Sequence, residues 1–403
     1  MWIMEFIYVT KNESMTPTCR VSLLTTAFEI FDKHNIIKLP SNADYEIEKV
    51  LNVLLHAATS PSNSLESASN DLKRKNPEEK IPSSDTIFNY VNCNNIEDIL
   101  SSFRTINPEI FSMMEIEDKV HDVAIDFHHV PFYGDKNTPL IRGMKPKNGT
   151  SWGYEYCTLD IIGDDKLTLD VIPISALLKD YSVLIELLFK RLESMSVKVG
   201  TAYMDKEFCN DDTISTMTKL KINFVIACKL NKKIKKKLEN FKKENGHKST
   251  VFEYHFNENG TKFNLVAVPH EKKEYILFAT NKDVKSTEEF EKSIPEEYKK
   301  RWNIETGYRV KNDFKIRTCT KSPVARTLFF IIQCALYNIL NMLKSVLQIT
   351  VHEMKSIINE DIGKSVKWGI KSLGGIPVRL LLCQLKKYIR ERDRLLRIQL
   401  TEV

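Results

Sequence analysis

Three acidic residues occupy positions from which their side chains could share one chemical task. Asp126 follows the apolar run Val-Ala-Ile in VAIDFHH, and Asp205 ends a second apolar run in GTAYMDKEF. An acid at the end of a packed strand points out of the sheet, where its oxygens can bind a hard cation. Glu305 lies in YKKRWNIETGYRVKNDF, which has the periodicity of a helix. Three separate segments thus carry candidate metal ligands.

The helical segment at 298–314 presents a mixed face around Glu305. At helical spacing, that face carries Tyr298, Arg301, Glu305, Arg309 and Asn312. An aromatic residue and two arginines beside one acid suit phosphate contact next to a metal ligand. Two Mg²⁺ ions held by three carboxylates can activate a water or a 3′-hydroxyl for an in-line phosphodiester displacement, with Mn²⁺ as an alternative ion. The pattern therefore predicts metal-dependent phosphodiester chemistry.

The segments that must position these acids alternate between strand and helix patterns. Residues 121–228 predict three strands, a helix, a strand, a helix and a strand, with a hairpin turn at Gly163-Asp164-Asp165. This order is that of a ribonuclease H-like sheet. We therefore expect an α/β fold with a mixed ribonuclease H-like sheet, whose first part occupies 121–228.

Residues 229–290 break this alternation. A lysine-rich helix precedes three strand-like runs, with Asn259-Gly260 as a hairpin turn, which predicts a basic, β-rich insertion. Residues 291–347 then complete the core with the glutamate helix and a second, apolar helix. The apolar run at 328–340 is too short to span a bilayer, so we interpret it as a buried core helix and expect no membrane partner.

The flanking regions carry no recognisable motif. The sequence predicts a helical N-terminal region at 1–58, a linker at 59–85 rich in Ser, Asn, Lys and Pro, and a short helical region at 86–120. A helix-turn-helix that binds DNA and a plain helical cap are equally compatible with the N-terminal hundred residues. A basic helical tail is predicted at 348–403.

Composition adds weaker constraints. The 403 residues carry a net charge of only +6, but basic residues cluster at 229–243 and 299–326, where they could bind a polyanion. None of the eight cysteines forms a Cys-x-x-Cys pair, so reduced thiols in a cytoplasmic protein are the simplest interpretation. Adjacent His128 and His129 point to opposite faces of a strand, which disfavours a zinc site. Asp122 is expected only to begin its strand.

The segment at 298–314 closely resembles the signature of the insertion-sequence transposases of the IS-four group, and of their halobacterial type in particular. That signature is Tyr, two residues, Arg, three residues, Glu, six residues and Lys. Tyr298, Arg301 and Glu305 match it, whereas Asn312 stands at the lysine position and Lys311 comes one residue early. The segments AIDFHHVPFYG around Asp126 and YMDKEF around Asp205 extend the resemblance to about 120–345.

The resemblance implies a DDE-class transposase, named for its two aspartates and one glutamate. Asp126, Asp205 and Glu305 would then be the catalytic metal ligands, and Tyr298 and Arg301 would hold transposon-end phosphates. Arg309 or Lys311 could replace the missing lysine contact, and Trp302 could either stack on a displaced base or pack in a core or interface.

The implied partners are double-stranded DNA, as terminal inverted repeats and as target, and a second protomer on that DNA. Two other functions stay open at this point: a non-catalytic DNA-binding descendant of a transposase, and a ribonuclease H-like nuclease of repair or recombination.

Overall fold

The computed structural model describes residues 26–117, 119–271, 273–283 and 287–347, without the side chains of 287–292 and 345–347. The predicted basic tail at 348–403 and residues 1–25 lie outside the described residues. The chain divides into two compact units. A helical unit contains the described residues up to Glu115 and from Arg309 onward, and a sheet unit spans Ile116–Tyr308.

After a helical segment at 26–33, the helices are α1 Ile47–Thr59, α2 Leu65–Lys75, α3 Ser84–Asn92, α4 Ile96–Met114, α5 Ser182–Ser194, α6 Asp211–Lys219, α7 Lys232–Asn245, α8 Thr287–Lys299, α9 Trp302–Asn312 and α10 Pro323–Leu347. The strands are β1 Val120–Pro131, β2 Ile141–Lys147, β3 Thr150–Ile161, β4 Leu167–Pro173, β5 Lys198–Met204, β6 Asn223–Cys228, β7 Thr250–Tyr254, β8 Phe263–Pro269 and β9 Tyr275–Thr280.

In the helical unit, helix α2 replaces the linker that the composition of 59–85 predicts. Ser64 caps this helix by accepting a hydrogen bond from the backbone N–H of Ser67 at 3.2 Å. Leu65, Ala68 and Leu72 are buried on one helical face. Three well-spaced apolar residues and a serine cap therefore suffice for a packed helix despite the polar surroundings.

Helix α10 is the core of the helical unit. Residues Pro323–Lys344 are long and apolar enough to cross a membrane by composition, but 83% of the most apolar stretch is buried within the protein. The helix packs against α4 and α3, and the amide of Asn338 donates to that of Asn107 on α4 at 2.9 Å. It is a buried core helix, as its sequence predicts. It belongs to the helical unit, where it packs with the N-terminal helices, and not to the sheet unit.

The sheet unit contains a mixed, nine-stranded sheet in the described residues, with the order β2-β3-β1-β5-β6-β9-β8-β7. Strand β4 pairs with the second half of β3, whereas β2 pairs with its first residues. The pairs β1–β5 and β5–β6 are parallel, and the other pairs are antiparallel. This arrangement confirms the predicted ribonuclease H-like mixed sheet.

Two parts of this sheet differ from expectation. Strand β2 was not predicted, because IRGMKPK carries glycine, proline and exposed charges instead of an alternating apolar pattern. Strand β9 pairs antiparallel with β6, so the inserted strands β7, β8 and β9 continue the central sheet, which the sequence did not indicate. The three predicted insertion strands are present, but the hydrogen bonds of the core extend through them.

One pair of cysteines contradicts the expectation of reduced thiols. Cys209 and Cys228 form a disulfide that links the segment after β5 to the end of β6. The two cysteines are 19 residues apart in sequence, and the parallel pairing of β5 with β6 brings them together. Among the described residues, the free cysteines are Cys93, Cys157, Cys319 and Cys334.

Candidate active site

Parallel pairing of β1 with β5 brings the two aspartates to neighbouring positions. Ile125 is in register with Met204, the last residue of β5, and Asp126 and Asp205 each come next along the chain. The sequence suggested that Asp126 ends its strand. Strand β1 instead continues to Pro131, paired with β3. The pairing of β5 with β1 therefore ends immediately before Asp126.

A break between two helices places Arg301 among the acids. The sequence predicts one helix from about Pro295 to Phe314, but α8 ends at Lys299 and α9 begins at Trp302. Tight turns join them, since Arg301 N–H donates to the Tyr298 carbonyl at 3.0 Å and Ile304 N–H to the Arg301 carbonyl at 2.9 Å. Arg301 therefore projects from a junction and not from the middle of a regular helix.

The Arg301 guanidinium bridges two of the three acids. Its Nη2 donates to Glu305 Oε1 at 2.9 Å, and its Nη1 lies 3.5 Å from Asp126 Oδ2. The side chain is 11% exposed, so these charge-assisted contacts are largely shielded from water. Its Cζ lies 5.5 Å from the centre of the Tyr298 ring, and the Tyr298 hydroxyl donates to the Met204 carbonyl at 3.1 Å. Tyr298 thus connects the Arg301 junction to the end of β5.

The three acids influence the protonation of Asp126 and of Arg301. Burial raises the pKa of Asp126 to about 6; Arg301 opposes that rise, and the negative charges of Asp205 and Glu305 add to it. Burial works against the charged form of Arg301, yet Tyr298 and the three acids together raise its pKa. Asp126, Asp205 and Glu305 therefore form a concentrated negative charge with one arginine as its close counter-charge.

The donor set fits a divalent cation that prefers oxygen ligands, because it consists of three carboxylates from neighbouring segments. Within the described part of the chain, no three Asp, Glu, His or Cys side chains form a preformed metal cage. In this conformation, Arg301 supplies the positive charge instead, through its contacts to Asp126 and Glu305. Arg301 thus contacts carboxylate oxygens that would otherwise be available as metal ligands.

A buried chain of hydrogen bonds connects helix α9, which carries Glu305, to strand β3. Tyr308, three residues after Glu305, lies with its hydroxyl 2.6 Å from Thr158 Oγ1. Thr158 donates to Asp160 Oδ2 at 2.6 Å, and Thr168 donates to Asp160 Oδ1 at the same distance. Because the single Thr158 proton goes to Asp160, Tyr308 is the donor to Thr158. Thr158 is also the register partner of Asp126, so the chain links α9 to the strand beside that acid.

Sequence reasoning missed this hydrogen-bonded chain. Its members are a tyrosine, two threonines and an aspartate in separate segments, and only the β1–β3 and β3–β4 registers bring them together. The one sequence feature that could have drawn notice is the acid Asp160 between the apolar residues Leu159 and Ile161.

The remaining predicted DNA-binding residues occupy different surroundings. Trp302 is 61% exposed, so it does not pack in the core of this chain. Arg309, four residues after Glu305 in α9, is also exposed. Lys311 is fully buried, with its ammonium 5.1 Å from the Tyr337 ring. Its burial contradicts a direct DNA contact in this conformation, and the sequence could not show it because lysine is normally a surface residue.

The nearby histidines and Asp122 have separate structural partners. His121 contacts the Ile116 carbonyl, His128 packs against the Tyr308 ring, and His129 pairs with Glu155. Asp122 accepts from the Thr201 N–H at 3.1 Å and from Lys300 at 2.9 Å, beside the register shift of β1 against β5. This agrees with the expectation that Asp122 serves the start of its strand.

A protein-family model matches part of the chain. Residues 163–339 match a protein-family model described as a transposase DDE domain, a range that includes Asp205 and Glu305 and begins after Asp126. No curated protein sequence matches the chain.

The fold is similar to that of piggyBac transposase in a synaptic complex with hairpin DNA, solved by cryo-electron microscopy. That likeness has a TM-score of 0.58 at 14% identity and covers 92% of this chain and 87% of the other. Fold and matched domain together support a DNA transposase of the DDE class.

Proposed function

We propose that this DDE transposase cuts DNA at the ends of its element and joins the freed 3′-hydroxyl to target DNA, using Asp126, Asp205 and Glu305 as ligands of a divalent metal. The observation that carries the proposal is the position of Arg301, in contact with Asp126 and Glu305 and within the field of Asp205. Three acids that share one buried counter-charge beside the end of β5 suit a site that takes up cations.

The chain's own residues supply position and charge. Asp126 and Asp205 are held on two hydrogen-bonded strands, and Glu305 is held on a helix that Tyr308 ties to β3. When bound, Mg²⁺ or Mn²⁺ would lower the pKa of a water or 3′-hydroxyl and stabilise the charge on the leaving oxygen. A rigid arrangement of the three carboxylates limits the reorganisation that the reaction requires.

Arg301 is proposed to exchange partners during the reaction. With its carboxylate partners neutralised, the Arg301 guanidinium would contact a phosphate of the transposon end. Tyr298 supports this contact indirectly, because its hydroxyl is bound to the Met204 carbonyl and its ring lies beside Arg301. Trp302 and Arg309, both exposed on α9, are proposed to contact the same DNA, whereas Lys311 is left out because it is buried.

The partners follow from this activity. We infer that the chain binds its terminal inverted repeats and the target duplex, with two protomers pairing two ends, and that it associates with the nucleoid for that reason. The spacing of Tyr298, Arg301 and Glu305 supports assignment to the IS-four group and its halobacterial type. Inverted repeats flanking the gene are the simplest observation that would agree with this assignment and also provide the DNA substrate.

A nicking and binding assay on the flanking-repeat duplex, with Mg²⁺ or Mn²⁺ supplied, tests the function. Glu305→Gln keeps the size of the side chain but removes its charge, so it should abolish nicking and preserve binding. Arg301→Ala should weaken binding because it removes a charge-assisted phosphate contact. Lys190→Ala is a suitable control, since Lys190 is exposed on α5 and pairs only with Glu186 among its described ion pairs.

Each outcome decides between functions. Wild-type nicking by Glu305→Gln would show that the three-acid site is misassigned. A wild-type protein that binds the repeats and never nicks them, with either metal, would favour a non-catalytic descendant. Nicking of any duplex without preference for the repeats would favour a repair or recombination nuclease.

A further inference from the structure

The segment that follows β1 in the sheet exposes aromatic and basic side chains that do not contribute to the core. We define the β2–β3 arm as residues 132–153, which follow β1 and contain β2 and the start of β3. It exposes two aromatic side chains, Tyr133 at 69% and Trp152 at 39%. Its charged residues are Lys136, Arg142, Lys145, Lys147 and a single acid, Asp135. Exposed aromatic residues among lysines are typical of nucleic-acid surfaces.

The strand registers place this arm on the same sheet face as the acids. Asp126 pairs with Thr158, and alternate residues of β3 from Thr158 lead to Trp152 on that face. Six residues of strand span at most about 20 Å, which equals about six base pairs of DNA at 3.4 Å each. On β2, Lys145 reaches to 3.9 Å from Glu207, two residues after Asp205. One side of the arm therefore lies next to the segment that carries the second aspartate.

The arm is rigid enough to present these side chains in fixed positions. Asn148 and Gly149 both have positive φ, at 53° and 83°, which forms the tight turn that matches the twist of a hairpin. The Tyr133 hydroxyl donates to the Asn148 carbonyl at 2.8 Å, and the Thr150 hydroxyl donates to the Phe132 carbonyl at 2.9 Å. These bonds fasten the turn to the end of β1, so little ordering is required when a ligand binds.

The charge of the arm is available to a partner. Lys145 is 84% exposed in its side chain, and its contact with Glu207 is a long, solvent-screened pair of little strength. Lys147, at the start of the turn, is exposed on β2. A polyanion that lies across the acids would therefore meet positive charge in this direction.

We propose that the β2–β3 arm is a DNA-binding element that contacts the duplex within about six base pairs of the scissile phosphate. Lys145 and Lys147 neutralise backbone phosphates, and Trp152 packs against a nucleotide beside them. The proposal rests on the proposed transposase function and extends its DNA surface to a part of the chain that carries none of the catalytic residues.

The test uses the full chain carrying Glu305→Gln, so that binding is measured without cleavage. Fluorescence anisotropy with the flanking-repeat duplex compares this protein with its Lys145→Ala/Lys147→Ala and Trp152→Ala derivatives across a salt series. The double lysine variant should bind several-fold more weakly, and its slope of log affinity against log salt should fall by about two. Trp152→Ala should weaken binding with the slope unchanged. Lys198→Ala, at the exposed start of β5 and far along the strand from Asp205, should bind normally.

Duplexes shortened on either side of the cleavage position locate the contact. On the side that meets the arm, ending the duplex after three base pairs should remove the difference between the double lysine variant and its parent. Wild-type affinity and salt slope in the double variant would overturn the proposal, as would a difference that survives shortening on both sides. Failure of the parent protein to bind any repeat duplex would instead refute the transposase function itself.

Discussion

Two acids on adjacent strands of the sheet, Asp160 and Asp126, are stabilised in opposite ways. Asp160, 4% exposed on β3, accepts hydrogen bonds from the hydroxyls of Thr158 and Thr168, both at 2.6 Å. Asp126, on β1, accepts one backbone N–H and meets Arg301 at 3.5 Å; burial raises its pKa, and the charges of two further acids add to that rise. Neutral hydroxyl donors therefore bind both carboxylate oxygens of Asp160.

This difference distinguishes a structural acid from the proposed catalytic acid more clearly than burial does. A buried carboxylate with its hydrogen bonds made is a stable part of the core. A carboxylate whose neighbours add negative charge is destabilised until a cation arrives, and such perturbed groups are typical of functional sites. The comparison therefore predicts that removing each acid will have different and measurable consequences.

The largest effect is expected on catalysis at Asp126. Asp126→Asn keeps the size of the side chain but removes a metal ligand, so single-turnover cleavage should fall by more than about 100-fold, beyond the range typical of residues that only support ligands. Repeat binding should persist. Asp160→Asn is the matched control and should retain more cleavage than Asp126→Asn. Comparable cleavage by the two variants would contradict the distinction between the acids.

The next effect is on stability. Removing the carboxylate of Asp126 should raise the free energy of unfolding, whereas removing that of Asp160 should lower it. Because the folded pKa of Asp126 is about 6 and its ordinary value is 3.8, folding takes up a proton. The native state is therefore destabilised progressively as pH rises from about 4 to about 6. In chelator, Asp126→Asn should raise the free energy of unfolding at pH 7.5 by about 3 kcal/mol and change it little near pH 4.

Asp160→Ala should act in the other direction. It leaves two buried hydroxyls without their acceptor and should lower the free energy of unfolding at pH 7.5 by about 1–3 kcal/mol. Urea unfolding of both variants beside the wild type provides the measurement. A loss of stability in Asp126→Asn at pH 7.5 would mean that the contact of Asp126 with Arg301 outweighs the cost of burying its charge and the repulsion from Asp205 and Glu305.

The sequence contained enough to predict the core of the fold and the position of Asp126, but not the role of Asp160. Apolar strands that end in acids, and helices at regular spacing, are local patterns, so the element order and the ribonuclease H-like sheet could be derived from them. Asp160 lies in a strand of the same kind. Its partner Thr168 lies eight residues away, and Thr158 contacts Tyr308 150 residues away. Only the folded registers reveal that Asp160 is satisfied.

Other differences have similar physical causes. Strand β2 lacks an alternating pattern because it carries exposed charge on the arm, and helix α2 needs only three buried apolar residues in a polar segment. The Cys209–Cys228 bond depends on the neighbouring ends of β5 and β6. Burial of Lys311 depends on packing with Tyr337 within the helical unit. Each depends on a contact between distant segments that local periodicity does not encode.

A smaller effect is expected on metal affinity as a function of pH. Asp126 must release its proton to act as a ligand, so Mn²⁺ affinity should fall by about tenfold for each pH unit below about pH 6 and level off above it. Isothermal titration calorimetry of the wild type between pH 5 and pH 8 measures this dependence. Asp126→Asn should bind more weakly and lose that component of the dependence. An affinity that is flat across pH 6 in the wild type would show that Asp126 is not a ligand.

The smallest effect concerns Tyr308, which connects the two acids' surroundings. Tyr308→Phe removes the hydrogen bond to Thr158 but leaves the bond from Thr158 to Asp160, so the free energy of unfolding should fall by about 1 kcal/mol. Because Tyr308 lies three residues after Glu305, the glutamate should also become less well positioned. Mn²⁺ affinity should then decrease by a few-fold, while repeat binding stays unchanged.

A double-mutant cycle with Thr158→Val isolates this contact. Thr158→Val also deprives Asp160 of a donor, but that loss occurs whether residue 308 is Tyr or Phe and therefore cancels in the cycle. The remaining coupling in unfolding free energy should exceed about 0.5 kcal/mol, the level at which residues in contact depart from additivity. Coupling in Mn²⁺ affinity should have the same sign, because the same bond positions Glu305. Additive effects on stability, or coupling in stability without any in Mn²⁺ affinity, would show that the satisfied acid Asp160 and the metal-binding acids are independent.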